Sequence, residues 1–189
     1  MTIELIGAVI GLLYVFLEYR AVWWLWIAGI VMSLFYIYIY AEVNCYAWAF
    51  TYLYYLGANI YGLAVWKKNS AEDFNSGISN LPKKYYPILS VILVCLTFLF
   101  FIIIYKYTDS KIPLSEAFSM ALSIIGMWLL AKKYLQHWHI WLVVNAIYVM
   151  GNLWLGLYFS TILFAVYFIV SGMGFVRWRR LMDRCLVLK

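Results

Sequence analysis

One stretch of the sequence places aromatic and amide side chains at a regular helical interval. Trp138, Trp141, Asn145, Tyr148 and Asn152 follow one another every three or four residues, and the positions between them are mostly aliphatic. This interval puts all five side chains on one face of an α-helix. Aromatic rings suit a flat heterocycle, and an asparagine amide can both donate and accept hydrogen bonds. We therefore interpret this face as the lining of a ligand cavity.

Two other places could contribute to the same cavity. Tyr52, Tyr55 and Asn59 share a face of another apolar helix. Glu116 follows Pro113 at the start of the apolar run 114–131, where its carboxylate could attract a cationic ligand. Each feature also has a purely structural explanation. Asparagine can join helices by hydrogen bonds, Trp138 can belong to an interfacial aromatic belt, and Glu116 can simply favour the helix N-terminus.

Other chemistry is poorly represented. Cys45 and Cys95 have no partner at metal-ligand spacing, so we interpret both as small apolar residues. His137 and His139 are two positions apart and point to different sides of a helix. No phosphate-binding glycine loop is present. Three glutamates fall at predicted helix ends and are expected to be solvated: Glu4, Glu18 and Glu42.

The composition requires a membrane. Hydrophobic residues make up 67% of the chain and charged residues 12%, against about 45–50% and 25% in soluble domains. The N-terminus lacks the features of a cleaved signal peptide, so the first helix is expected to remain. We predict an all-α integral membrane protein, with the lipid bilayer as its partner. Its seven transmembrane helices span 3–17, 22–40, 43–66, 85–105, 114–131, 138–155 and 157–176.

Basic residues predict the orientation. Twelve of the 14 lysines and arginines fall on one side of a seven-helix arrangement, which indicates an outside N-terminus and an inside C-terminus. This distribution between apolar runs also argues against nucleic-acid binding. The inner connection 69–80 is polar and is expected to be flexible, and Gly156 predicts a tight turn before the last helix.

A displacement of 115 residues superposes similar residues from the two ends of the chain. It pairs Tyr19 with Tyr134, Trp23 with Trp138 and Trp26 with Trp141. A three-residue deletion then pairs Gly62 with Gly174, and Trp66 with Trp178. We predict two parallel three-helix repeats, at 1–68 and 113–180, joined by a linker helix at 85–105. Transporters built in this way place their substrate near mid-membrane, between the repeats.

The segment from Trp138 to Asn145 resembles the WxxWxxxN motif of the PnuC-type vitamin transporters. Further likeness lies in Asn59-Ile60-Tyr61-Gly62, in Lys133-Tyr134, in Gly156-Leu157-Tyr158 and in the ending at Trp178. The resemblance implies a 3+1+3 fold similar to a full-length SWEET transporter. It also implies a homotrimer in the bacterial inner membrane, which works by facilitated diffusion without a cofactor while a cytoplasmic kinase traps the vitamin.

The same resemblance implies that Trp138, Trp141 and Asn145 bind the substrate, and Glu116 falls where relatives often carry an acid. Tyr52 falls where nicotinamide riboside transporters tend to carry glutamine. This departure, with Glu18-Tyr19-Arg20 and the Trp23/Trp26 pair, resembles the thiamine branch. We therefore expect a thiamine transporter, with nicotinamide riboside or riboflavin as the alternative. A membrane-embedded enzyme or a non-transporting sensor is more remote.

Overall fold

A computed structural model describes residues 2–42, 46–68, 77–156 and 158–187, with side chains at 9–38, 52–67, 77–156, 158 and 160–184. Cys45, and the side chains of Glu4 and Glu42, lie outside this part. Seven helices form there: α1 Thr2–Arg20, α2 Trp24–Glu42, α3 Tyr46–Lys68, α4 Tyr85–Tyr107, α5 Pro113–Ala131, α6 His137–Trp154 and α7 Tyr158–Val187.

The seven predicted helices are confirmed, with most ends displaced by only a few residues. The exception is α7, which continues well beyond residue 176 and carries the basic C-terminal residues on its last turns. Pro113 occupies the first turn of α5, where its missing N–H costs nothing. Gly156 has a φ of +74° in the turn before α7, so the predicted turn is also confirmed.

Several helices are suited to a bilayer by length and composition. Within the described residues, three segments are long and apolar enough to cross a membrane: Tyr85–Tyr107, Pro113–Ala131 and Ser160–Arg184. The apolar side chains of α4 are mostly exposed; Val94 and Phe98, for example, are 68% and 66% accessible. Such a surface is stable against lipid but not against water. The architecture is that of an all-helical, multi-pass membrane protein.

The chain divides into two compact units. The first comprises residues 1–77 and 180–189, and the second comprises Ile78–Arg179. The second unit includes α4, because Leu81, Ile125 and Leu129 form a buried cluster against which Tyr85 and Leu89 pack. The predicted linker helix is thus an integral part of the second unit.

The α1–α2 turn of the first unit and the α5–α6 turn of the second have the same backbone geometry. Ala21 and Lys133, 112 positions apart, both have positive φ, at 55° and 54°. Ala21 N–H donates to the Glu18 carbonyl at 2.9 Å, and Lys133 N–H donates to the Leu130 carbonyl at the same distance. A residue in this left-handed conformation ends a helix and reverses the chain tightly.

The contacts after this turn recur with the same displacement of 112. The Trp26 ring packs on Gly62 and lies edge-on to Trp66, with ring centroids 5.5 Å apart and planes at 81°. In the second unit, the Trp138 ring packs on Gly174 and lies edge-on to Trp178, at 5.9 Å and 82°.

The counterpart of Trp138 is therefore Trp26. The predicted pairings of Trp23 with Trp138, Trp26 with Trp141 and Tyr19 with Tyr134 are wrong. Tryptophan and tyrosine are so frequent around residues 19–26 that identities alone could not choose the register. The register is determined by which tryptophan fits against a glycine of the neighbouring helix.

Glu18 does not behave as its place at a helix end suggested. Its side chain is 2% exposed, so the prediction of a solvated residue is wrong. The Glu18 carbonyl accepts from Ala21 N–H, so Glu18 lies within the tight reversal into α2 and not at a freely ending helix. Cys95 is exposed on the apolar surface of α4, in keeping with its interpretation as a small apolar residue.

The connection before α4 is partly ordered. Ser79 N–H donates to the Lys133 carbonyl at 3.2 Å, and Leu135 N–H donates to the Ser79 carbonyl at 2.9 Å. The Gln136 side chain accepts from Leu81 N–H at 2.8 Å and donates to Asn80 Oδ1 at 3.1 Å. The prediction of a flexible connection is therefore wrong for residues 78–80, and residues 69–76 lie outside the described part.

Candidate functional site

Trp138 is held at the start of α6 by close packing within the second unit. Its side chain is 1% exposed, enclosed by Gly174, by Trp178 and by the His137 ring, whose centroid is 4.7 Å away. An interfacial belt residue would be largely accessible, so that explanation of Trp138 is wrong. Its indole Nε1 is buried and donates to no described residue.

Trp141 lies one turn further along α6 and is half-buried. Gly126 of α5 lies beside it: a Cβ there would make an ordinary contact with the Trp141 ring at 3.5 Å and a tight one with Ile140 at 3.0 Å. The Nε1 atom of Trp141 is also buried and has no acceptor among the described residues. An indole N–H usually has a partner when buried, so Trp141 offers a hydrogen bond that the described protein does not use.

Asn145 follows one more turn along the helix and is 7% exposed. Its Nδ2 donates to Ser171 Oγ of α7 at 3.2 Å, and Ser171 in turn donates to the Tyr167 carbonyl at 2.7 Å. The interhelical hydrogen bond confirms that Asn145 joins two helices. It uses one of the two amide N–H groups, and no described residue donates to the amide oxygen.

The far end of the polar face is occupied by contacts within the protein. Tyr148 stacks on Phe164 of α7, with centroids 4.6 Å apart and planes at 21°. Asn152 Nδ2 donates to the Tyr148 carbonyl at 2.7 Å, within its own helix. The buried N–H groups of the face without a described acceptor lie in its first half, on Trp138 and Trp141.

Asn59 is the corresponding amide of the first unit. It is 3% exposed, and its Nδ2 donates to the Tyr55 carbonyl at 2.7 Å and to Ser33 Oγ of α2 at 3.5 Å. Its Oδ1 is buried and accepts from no described residue. Gly29 makes space for it, because a Cβ at that position would overlap the amide.

The tyrosines near Asn59 form a stacked group. Tyr52 stacks on Tyr36 of α2, with centroids 4.8 Å apart, and meets Tyr55 edge-on at 5.8 Å. This packing is sufficient to explain their positions, and their part in ligand binding stays a prediction. Glu116 lies half-buried in the first turn of α5, where its carboxylate favours the helix N-terminus as expected.

Charged and metal-binding groups contribute little to these faces. Among the described residues, no three histidine, cysteine or acidic side chains are grouped to hold a metal ion. His137 Nδ1 contacts the Tyr134 carbonyl at 2.7 Å, whereas His139 packs on Phe175, so the two rings do point differently. In the α5–α6 turn, burial lowers the pKa of Lys133 from its ordinary value.

The structure brings the five residues of the polar face together on α6 in the second unit, and Tyr52, Tyr55 and Asn59 together on α3 in the first. Sequence reasoning missed three residues that hold them, Gly29, Ser33 and Ser171, and it paired Gly174 with Gly62 without assigning a contact to either. One signal was available. Ser33 and Asn59 are 26 positions apart, and so are Asn145 and Ser171.

Comparison with known proteins defines the family. Residues 1–180 match the sequence model of the family described as nicotinamide mononucleotide transporter. The nicotinamide riboside transporter PnuC of Neisseria mucosa is 22% identical over 144 residues, which cover 70% of this chain and 54% of that protein. The chain thus spans about half the length of the curated relative it matches.

A solved structure confirms the fold. The crystal structure of the vitamin B3 transporter PnuC matches with a TM-score of 0.72 and 20% sequence identity, over 94% of this chain and 80% of the other. The family model matches most of the chain, and the structural match covers 94% of it. Both place the protein among all-helical membrane proteins of the PnuC-type fold. The chain belongs to the nicotinamide mononucleotide transporter family.

Proposed function

We propose that the protein is a vitamin transporter, with nicotinamide riboside as its first substrate. The observation that carries this proposal is a hydrogen-bond donor and an acceptor on α6 that no described residue uses. Trp141 has a buried N–H without a described acceptor, and one turn away Asn145 has an available amide oxygen. A flat ring with an attached amide or amine can stack on the indole and hydrogen-bond to the asparagine.

Family membership supports the same proposal. The family description and both relatives name transporters, and none of them names an enzyme. The curated relative is named for nicotinamide riboside, whose pyridinium ring is both flat and cationic. A cation over an indole face gains an attraction of about 0.5–2 kcal/mol. This support favours nicotinamide riboside over thiamine, for which the comparisons give none.

Thiamine is the second candidate because of one local feature. Tyr52 occupies the position where the resemblance leads us to expect glutamine in nicotinamide riboside transporters, and one face of its ring stacks on Tyr36. An aromatic side chain here would suit the aminopyrimidine and thiazolium rings of thiamine. Riboflavin is the third candidate substrate.

The proposed topology has seven spans in a 3+1+3 arrangement of parallel repeats, with N-terminus outside and C-terminus inside. The repeats are 1–68 and 113–180, and the linker helix is 85–105. Recurrence of the Ala21 and Lys133 turns at one displacement supports a repeat, and the distribution of basic residues supports the orientation. The resemblance further supports a homotrimer in the bacterial inner membrane, working by facilitated diffusion with cytoplasmic trapping.

Calorimetric titration of the purified protein with nicotinamide riboside, thiamine and riboflavin, in parallel, tests the proposal. Nicotinamide riboside should bind most tightly, and the double variant Trp141→Ala/Asn145→Ala should lose binding. Phe98→Ala, on the exposed face of α4, is the control that should leave binding unchanged. Tighter binding of thiamine would select the second candidate, and absence of all three would refute the vitamin assignment.

Two rivals of other classes predict different results in the same preparation. A membrane enzyme would change its ligand chemically, and product analysis after incubation would show it. A sensor would bind the vitamin without moving it across liposomes. Chemically unchanged vitamin inside the vesicles would exclude both.

A further inference from the structure

Ser171 controls how the amide of Asn145 can be oriented. The Ser171 hydroxyl donates its one proton to the Tyr167 carbonyl at 2.7 Å. It then has only lone pairs to offer α6. The atom of Asn145 that meets it, at 3.2 Å, must therefore be the amide nitrogen, because two oxygens without a proton between them would repel.

This constraint fixes the other half of the amide. With Nδ2 directed to α7, Oδ1 must point away from Ser171, and no described residue donates to it. Asn145 is therefore presented as an acceptor on the side away from α7. The unused N–H of Trp141 lies one turn earlier on the same helix.

We propose that Ser171 is a positioning residue for substrate recognition, which holds Asn145 so that its Oδ1 selects a ligand carrying an N–H donor. The proposal rests on the proposed transport function and adds a specificity rule to it. Vitamins with a carboxamide or an aromatic amine next to a cationic ring satisfy that rule. Analogues that present an oxygen acceptor in the same place do not.

The first unit shows that this arrangement is not the only way to join the helices. There the serine is on the second helix, as Ser33, and the asparagine on the third, as Asn59. The serine and the asparagine have thus exchanged helices between the two units. A nearby pair of equivalent positions differs in side-chain size. Position 29 is glycine beside Asn59, and its counterpart 112 residues later is Trp141, on the helix that faces the small Ser171.

The exchange therefore has a consequence beyond helix joining. A glycine is needed at position 29 because any side chain there would overlap the Asn59 amide. With serine in place of asparagine on α7, the second unit can accommodate a tryptophan at the equivalent position and carry its amide on the same helix. The small side chain of Ser171 is thus compatible with a tryptophan at position 141, and its hydroxyl orients Asn145.

The test compares a ligand pair that differs at one group. Affinities of the purified full-length protein are measured for nicotinamide riboside and for nicotinic acid riboside, in which a carboxylate replaces the carboxamide. Thiamine and its 4-oxo analogue oxythiamine form a second pair, which is used if neither riboside binds. The wild-type protein should prefer the N–H-bearing ligand of the pair.

Ser171→Ala leaves the Asn145 amide free to turn over. The preference for the N–H-bearing ligand should fall by about three- to tenfold, the equivalent of one hydrogen bond. Ser171→Thr keeps the hydroxyl and should retain the preference. Ser123→Ala is the matched control, because Ser123 is buried and donates to the Ser119 carbonyl within α5 in the same way, without an asparagine partner.

A merely structural role predicts a different pattern. Ser171→Ala would then lower the unfolding temperature, or weaken both ligands of a pair equally, with an unchanged ratio between them. That result would overturn the positioning role while leaving vitamin transport intact. A wild-type protein that bound none of the four ligands would overturn the specificity rule, and one that also failed to bind riboflavin would overturn the proposed vitamin transport.

Discussion

The ring of Trp138 lies against the α-carbon of Gly174, so closely that a single methyl group at residue 174 would overlap it. Trp26 and Gly62 have the same relationship in the first unit. In each unit a tryptophan near the start of one helix, α2 or α6, is therefore positioned by a glycine of the next helix, α3 or α7. Three residues beyond Trp138 on α6 comes Trp141, the first of the proposed ligand groups.

Gly174→Ala should displace Trp138 and destabilise the second unit by about 1–3 kcal/mol, the usual cost of overpacking a filled interior. Thermal unfolding in detergent, followed by tryptophan fluorescence, measures the change. Gly172→Ala is the control, since a Cβ there meets nothing within 4 Å and alanine favours a helix. Equal unfolding temperatures for the two variants would contradict the close packing of Trp138.

Ala21→Gly should stabilise the protein by about 0.5–1 kcal/mol, because glycine adopts positive φ without the steric cost that alanine bears. The same substitution at Ala28, inside α2, should destabilise by about 1 kcal/mol. Thermal unfolding of both variants checks the opposite signs. A lower unfolding temperature for Ala21→Gly would show that its backbone is not held in the left-handed region.

Gln136→Ala should release residues 78–81 from the α5–α6 turn, because the Gln136 side chain holds both Leu81 N–H and Asn80. Hydrogen exchange at Leu81 should become faster by about three- to tenfold, as expected for one lost hydrogen bond. Gln136→Glu keeps the acceptor for Leu81 and should protect that amide. Unchanged exchange in Gln136→Ala would show that the backbone bridge alone orders this segment.

Trp141→Phe should separate stacking from hydrogen bonding at the proposed site. Phenylalanine keeps an aromatic face but removes the indole N–H, so affinity for nicotinamide riboside should fall by about three- to tenfold. Trp141→Ala should weaken binding further, because the ring is also lost. Trp128→Phe, in the aromatic group with Tyr85 and Tyr134, should bind normally. Wild-type affinity in Trp141→Phe would show that the indole N–H does not bind the ligand.

The helices could be predicted from the sequence because a bilayer imposes a simple rule on length and polarity. The same rule says little about register. Trp23, Trp24 and Trp26 are chemically similar, and only the fit of Trp26 against Gly62 shows which of them corresponds to Trp138. Burial of Glu18 likewise depends on the tight turn at Ala21, where no glycine marks the positive φ.

The candidate site was predictable to the extent that it lies on one helix. The interval from Trp138 to Asn152 places those residues on a common face, and the structure keeps them there. Their partners come from α7, where Ser171 is an ordinary residue in an apolar segment. Its importance depends on which helix packs against α6, and the periodicity of a single helix does not contain that information.

Uptake of labelled nicotinamide riboside into liposomes that contain the purified protein tests the central claim most directly. We predict that the vitamin equilibrates without an imposed sodium or proton gradient, that excess unlabelled vitamin competes, and that Trp141→Ala/Asn145→Ala abolishes uptake while remaining folded. Uptake no faster than in protein-free liposomes, by a protein with a cooperative unfolding transition, would contradict the account.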